Sequence, residues 1–153
     1  MSDQTNMSEH MPALVPSLTV SDPRQTLEWF ERLGFRTVFA MEMPDGTIGH
    51  CHVDRNGAQV MFGPACADSR PGATGVQLYI TLRGEHVDDL HERARQEGLT
   101  ITMPPTDQFW GDRIFNVVHP DGYTFIFAEH VRDVSPEEID AAVKQWADAA
   151  VPA

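Results

Sequence analysis

Lysine is almost missing from this 153-residue chain: Lys144 is the single one, far from every glycine-rich turn. Schiff-base chemistry and P-loop phosphate binding, which need a lysine at the reacting carbonyl or phosphate, therefore have no support. Cysteine is scarce too. Cys51 and Cys66 are the only two and form no CxxC pair, so no disulfide framework can be drawn and a reducing compartment suits the chain. No apolar run approaches the roughly 18 to 20 residues that span a bilayer. The opening MSDQTNMSEHM has no basic start followed by an apolar stretch, so it reads as a loose tail on a cytoplasmic protein rather than a secretory signal. Positive charge is the last shortage. Eleven basic against 23 acidic residues leave a net charge of −12, which repels phosphate backbones and anionic lipid. Neither nucleic acid nor a membrane is an expected partner, whereas a cationic small molecule would be attracted.

What is present is an ordered alternation of strand and helix signals. ALVPSLTV (13–20) alternates like a strand. SDPRQTLEWFERLG then offers Ser21 or Asp22 as N-cap, Pro23 at the first helical position, a stripe of Leu27, Phe30 and Leu33, and Gly34 as the stop. Strands are predicted over 35–41 and 47–53, and Asn56-Gly57 turns the second of them into another at 58–63. The second half repeats the order. A strand at 75–82 precedes a helix with Val87, Leu90 and Ala94 inward and Gly98 at its end. Strands follow at 99–103 and 113–119, and Asp121-Gly122 turns into the last, 123–130, with His119 read as a turn residue. Gly34 and Gly98 lie 64 positions apart and Gly57 and Gly122 lie 65 apart, so two βαβββ modules are the simplest reading.

The fold class is therefore α+β. We divide the chain into a disordered tail (1–11), a first module (12–63), a Pro-, Ala- and Gly-rich linker (64–74), a second module (75–131) and a C-terminal helix (132–153). That helix has a capping box in Ser135 and Glu138 and an apolar stripe of Ile139, Val143 and Trp146 that is expected to pack on the body or a neighbouring subunit.

Two such modules, with LTVSDPRQTLEWFERLGF early and FWGDR then PDGY late, resemble the vicinal-oxygen-chelate superfamily of glyoxalases, extradiol dioxygenases and bleomycin-resistance proteins. The resemblance runs from about Pro12 to His130. It implies that each module curls its mixed sheet into half a barrel, that a cleft between the halves holds ligand or metal, and that the protein is a homodimer. In metal-dependent members four His, Gln or Glu ligands occupy cleft-facing strand positions. The matching positions here fall near Val15, Met61, Gln77 and Ile126. Three of these four side chains cannot hold a hard or borderline divalent cation, so the resemblance implies no cofactor.

The two-residue strand period sorts the remaining candidates. Phe125 and Phe127 take the core side of their strand, which turns Thr124, Ile126 and Ala128 the other way; Gln77, Tyr79 and Thr81 oppose Leu78, Ile80 and Leu82; Gln59 and Met61 oppose Val60 and Phe62. In GHCHVD (49–54) the same period sends Cys51 and Val53 inward and leaves His50 and His52 on the ligand side. Cys51 then points away from both histidines, against a Cys-His nucleophilic pair. The histidines are read as ligand contacts, as ordinary hydrogen-bonded strand residues, or as a relocated site for Fe, Mn, Ni or Zn with His130 as a third ligand. From the bleomycin-resistance resemblance, Trp110 is carried over as a stacking surface for flat or cationic ligands. Arg113 either orients a ligand carboxylate or pairs internally with Asp107 or Asp112.

The expected function is a metal-free small-molecule binding protein that sequesters an aromatic or cationic natural product or drug, as antibiotic-resistance members do. Its ligand-contacting set is His50, His52, Gln59, Met61, Gln77, Tyr79, Trp110, Arg113 and Ile126. The alternative is a lyase, isomerase or dioxygenase acting through His50 and His52.

Overall fold

The computed structural model describes residues 11–150, so the tail expected over 1–11 lies almost wholly outside the described residues. The chain forms two compact units. The first takes the residues up to 76 together with the turn 119–123, and the second takes 77–118 and everything from Thr124 onward.

In the first unit β1 (Ser17–Val20), α1 (Pro23–Arg32), β2 (Arg36–Glu42), β3 (Ile48–Arg55) and β4 (Ala58–Pro64) build one sheet in the order β1-β4-β3-β2. β1 runs parallel to β4 and the other pairs are antiparallel. The helix starts where its chemistry allows it: the Asp22 carboxylate accepts the backbone N–H groups of Arg24 and Gln25 at 3.0 and 3.1 Å, and Pro23 has no N–H to leave unpaired. Its buried face is Thr26, Trp29, Phe30 and Leu33, so Trp29 and Thr26 hold the place expected for Leu27. Phe30 stacks on Phe62 of β4 with ring centroids 5.4 Å apart. Asn56 and Gly57 both have positive φ, 51° and 92°, the backbone that a two-residue hairpin turn demands.

In the second unit β5 (Gln77–Leu82), α2 (Val87–Gln96), β6 (Thr100–Asp107), β7 (Asp112–Val118) and β8 (Thr124–His130) repeat the plan in the order β5-β8-β7-β6. Val87, Leu90 and Ala94 are buried, as their spacing predicts. The start of α2 carries no side-chain cap of its own; instead Glu129 of β8 accepts the Val87 N–H at 2.8 Å, bringing a carboxylate to the positive end of the helix. β6 continues past its predicted end at Met103 through Pro104 and Pro105. It is an edge strand, so a missing N–H there need not break a ladder. The core stacks Phe115 on Phe127 at 5.5 Å.

His119 is more than a turn residue. It is buried in the first unit, its Nε2 2.9 Å from the Thr26 hydroxyl, its Nδ1 accepting the Asp121 N–H at 3.0 Å, its ring edge-on to Trp29. Because Nδ1 accepts, the neutral ring carries its proton on Nε2 and donates it to Thr26. Burial depresses its pKa, against the pull of Asp121. The sequence missed this because a histidine beside Pro-Asp-Gly looks local, while its partner is 93 positions away.

α3 (Pro136–Ala150) has the predicted capping box, with Ser135 N–H to Glu138 at 2.9 Å and Glu138 N–H to the Ser135 hydroxyl at 3.2 Å. None of its residues is buried, and Val143 and Trp146 stay exposed. Among the described residues nothing buries that stripe, so the expected packing on the body is not seen there. Among the described residues no helix is long and apolar enough to cross a membrane.

Candidate functional site

Ladder register fixes what faces what in the second sheet. Tyr79 lies beside Ile126 and Ile126 beside Asn116, while Asp112 lies beside His130. With side chains alternating, these five share the face opposite Phe115, Phe125 and Phe127. The loop before β7 adds two aromatics to this unit: Trp110 and Phe109, each 38% exposed, meet edge to face at 5.0 Å.

A hydrogen-bonded chain runs through the group. The Trp110 indole N–H donates to the Tyr79 hydroxyl at 3.3 Å, Tyr79 donates to Asp112 Oδ2 at 2.5 Å, and His130 Nδ1 sits 3.1 Å from Asp112 Oδ1. The other nitrogen of His130 is 2.7 Å from Asp133 Oδ1. Burial alone would raise Asp112, but hydrogen bonds from Tyr79, His130 and Trp110 outweigh it and hold the carboxyl below its ordinary range. Burial, reinforced by that carboxylate, pushes the Tyr79 phenol up. Asp133 and then Asp112 raise His130.

Gly111 explains why Trp110 is followed by glycine. Its φ is +100°, a Cβ placed there would stand 2.2 Å from the carbonyl oxygen of Arg132, and its own carbonyl accepts the N–H groups of Val131 and Arg132. Only glycine lets the Trp110 loop close against the segment between His130 and Asp133.

Arg113 is held by carboxylates of its own unit. Its guanidinium pairs with Asp88 and Asp107, both at 3.0 Å, which realises the internal pairing with Asp107 and adds a partner on α2. Gln77 is exposed and lies beside Thr124, away from the chain just described. Asn116, unremarked in the sequence, has a buried side-chain oxygen without a hydrogen-bond partner.

On the corresponding face of the first sheet Phe39 and Met41 are exposed, His50, Gln59 and Met61 are half-buried, and His52 and Asp54 are buried. His52 is only 2% exposed and its Nε2 donates to the Gln59 side-chain oxygen at 2.7 Å. Cys51 and Val53 are fully buried on the opposite side, as the period predicts, and burial raises the Cys51 thiol. His50 is half-buried, its ring 6.4 Å from that of exposed Phe39. The strand period separated the two faces of β3 correctly but gave no warning that both are covered at His52 and Asp54. The same unit carries a groove of about 1180 Å³ lined by Arg24, Met41, Met43, Ile48 and Gly49 among others, a feature to which the sequence pointed nowhere.

Register also tests the metal expected of catalytic relatives. Of the four positions the resemblance implies, Val15 precedes β1, Met61 lies beside Ser17, and Gln77 lies beside Thr124 rather than Ile126. A valine, a methionine, a glutamine and an isoleucine are not a donor set for a hard or borderline cation. Among the described residues no group of three or more His, Cys, Asp or Glu is placed to hold a metal ion. The residues present do not fit such a group. His130, proposed from sequence as a third ligand with His50 and His52, is engaged at both ring nitrogens by carboxylates of its own unit.

Comparison with known proteins is consistent with this architecture. An uncharacterised protein of Mycobacterium bovis is 30% identical over 151 residues, 90% of this chain and 95% of that protein. The crystal structure of TioX from Micromonospora sp. ML1 superposes with a TM-score of 0.65 at 28% identity, over 78% of this chain and 99% of that one. The bleomycin resistance determinant encoded on transposon Tn5 shares the fold, with a TM-score of 0.59 at 22% identity over 78% and 98%. The family model for the glyoxalase/bleomycin resistance protein/dioxygenase superfamily matches residues 11–127. With that match added to two strand–helix–three-strand units, the chain belongs to this superfamily.

Proposed function

We propose that the protein binds and sequesters a small aromatic or cationic molecule, a natural product or drug, without a metal, and that the ligand stacks on the Trp110 and Tyr79 group. The observation that carries this reading is an exposed aromatic pair wired to a carboxylate: Trp110 and Tyr79, 38% and 46% exposed, joined to Asp112. An indole face and a carboxylate side by side suit a flat cation. Homodimer assembly and cytoplasmic residence are part of the same proposal, testable by sedimentation velocity and by fractionation. Bleomycin-like, mitomycin-like and other flat natural products, titrated while tryptophan fluorescence and melting temperature are followed, provide the trial. Saturable quenching that disappears in Trp110→Phe is the expected result, and no response to any of them removes the reading.

The competing reading is a lyase, isomerase or dioxygenase acting through His50 and His52. What favours it is the fixed orientation of His52 by Gln59, the kind of restraint a metal-binding or basic histidine needs. One equivalent of Fe, Mn, Ni or Zn in protein purified without chelator, lost in His52→Ala, would replace the first reading.

A further inference from the structure

His130 sits at the end of β8 with a carboxylate at each ring nitrogen: Asp112 Oδ1 3.1 Å from Nδ1 and Asp133 Oδ1 2.7 Å from Nε2. A neutral imidazole has one N–H, so it can satisfy one of these contacts and turns a lone pair toward the other carboxylate. Both contacts together require the imidazolium. His130 is thus the counter-ion of Asp112, whose second oxygen is taken by Tyr79, itself the acceptor of the Trp110 indole.

We propose that a cationic ligand binding on the Trp110 and Tyr79 group competes with the His130 proton for Asp112, so that ligand uptake releases a proton and tightens as His130 becomes neutral. This rests on the small-molecule binding reading above and deepens it, since it names a fixed positive charge on a flat ring as what the site selects. The carboxylate is placed for the exchange. Its side chain is 19% exposed, and that of Asp133, the other tie on His130, is fully in solvent, so the imidazole can swing away from Asp112 without breaking buried structure.

The surrounding charges leave His130 as the responsive element. Asp112 faces it from β7 and Asp133 from the segment after β8, while Tyr79 of β5 reaches Asp112 alone. Next to it in sequence, Glu129 is directed to the start of α2 and to His86. Arg113, the cation following Asp112, is committed to Asp88 and Asp107. Asp133 first and then Asp112 hold the pKa of His130 above its ordinary value.

The test uses the full chain and two flat probes of the same ring system, cationic N-methylphenanthridinium and neutral phenanthridine, which differ by the N-methyl group and the charge it fixes. Each is titrated by tryptophan quenching at about pH 5.5 and about pH 8.5, on either side of the histidine range. For the cation we expect about five-fold tighter binding at the higher pH, the lower end of ordinary coupling between sites because this one is half in water. The neutral probe should show no such change. In His130→Gln the cation should bind with the same affinity at both pH values, and NMR should show the His130 ring of the native chain losing its proton as cation is added at constant pH. Equal cation affinity at the two pH values in the native chain, or a pH dependence that survives in His130→Gln, overturns the proton exchange while leaving the binding reading standing. If neither probe binds at either pH, the binding reading falls and this inference falls with it.

Discussion

The two units are built on one plan, yet they treat the polar groups on the sheet face away from the helix in opposite ways. In the first, His52 is buried and its N–H is consumed by Gln59. In the second, Tyr79, Asp112 and His130 form a chain that ends in water and carries an exposed indole. A buried, mutually satisfied pair serves stability, because unmaking it strands a donor. A half-exposed chain is free of that constraint, and it is there that the proposed ligand contact lies. The repeated fold thus carries a buried polar pair in one unit and a half-exposed polar chain in the other.

The sharpest way to break that contrast is Gly111→Ala. The new Cβ collides with the Arg132 carbonyl, 2.2 Å away, at a backbone angle L residues avoid, and we expect a loss of about 2 to 4 kcal/mol in urea unfolding together with loss of probe binding. A native-like melt with intact binding would show that the loop closure is dispensable. Next comes Gln59→Ala in the first unit, which leaves the buried His52 N–H without its acceptor and should cost about 1 to 3 kcal/mol. Ligand affinity should be unchanged in that variant; a loss of binding without loss of stability would move the site to the first unit.

Histidine titration separates the units a third way. His119 is buried and held neutral, with a pKa below the ordinary 6.5. The unfolded chain therefore binds more protons than the folded one, so this stabilisation is complete above about pH 6.5 and is lost as pH falls through the folded value, at no more than about 1.4 kcal/mol per pH unit. His130 is raised, and its contribution has the opposite sign, being present below its ordinary value and lost as pH rises through the folded one. Unfolding curves collected between about pH 5 and 7 should steepen with His119 present and flatten in His119→Gln. An unchanged slope would mean that His119 titrates alike in both states. The smallest effect belongs to Tyr79→Phe, which should move stability by no more than about 0.5 kcal/mol while weakening cation binding, since it cuts the link between Trp110 and Asp112.

The fold was legible because its signals are local. Helix-stopping Gly34 and Gly98, the Asn56-Gly57 and Asp121-Gly122 turns, and alternating Phe125 and Phe127 each report a backbone state or a face without reference to distant residues. Edge position, by contrast, is a property of the whole sheet, which is why β6 ran through Pro104 and Pro105 unannounced. The candidate site was half legible. Period and resemblance named Trp110, Tyr79 and Ile126, which share the second unit, but Asp112 was read only as a partner for Arg113, and Asp133 and Asn116 drew no notice, because their meaning comes from neighbours on other strands or across a turn. His130 was read as a third metal ligand for want of a visible carboxylate partner. Both carboxylates that engage it, Asp112 and Asp133, become apparent only when the β7–β8 register and the turn after β8 are known.

The assignment of recognition to the second unit is tested most directly by NMR of the ¹⁵N-indole signals of Trp29, Trp110 and Trp146 during titration with N-methylphenanthridinium. Binding on the Trp110 and Tyr79 group moves the Trp110 signal saturably and leaves exposed Trp146 of α3 in place. A saturable shift at Trp29 or Trp146 with Trp110 unmoved would contradict it.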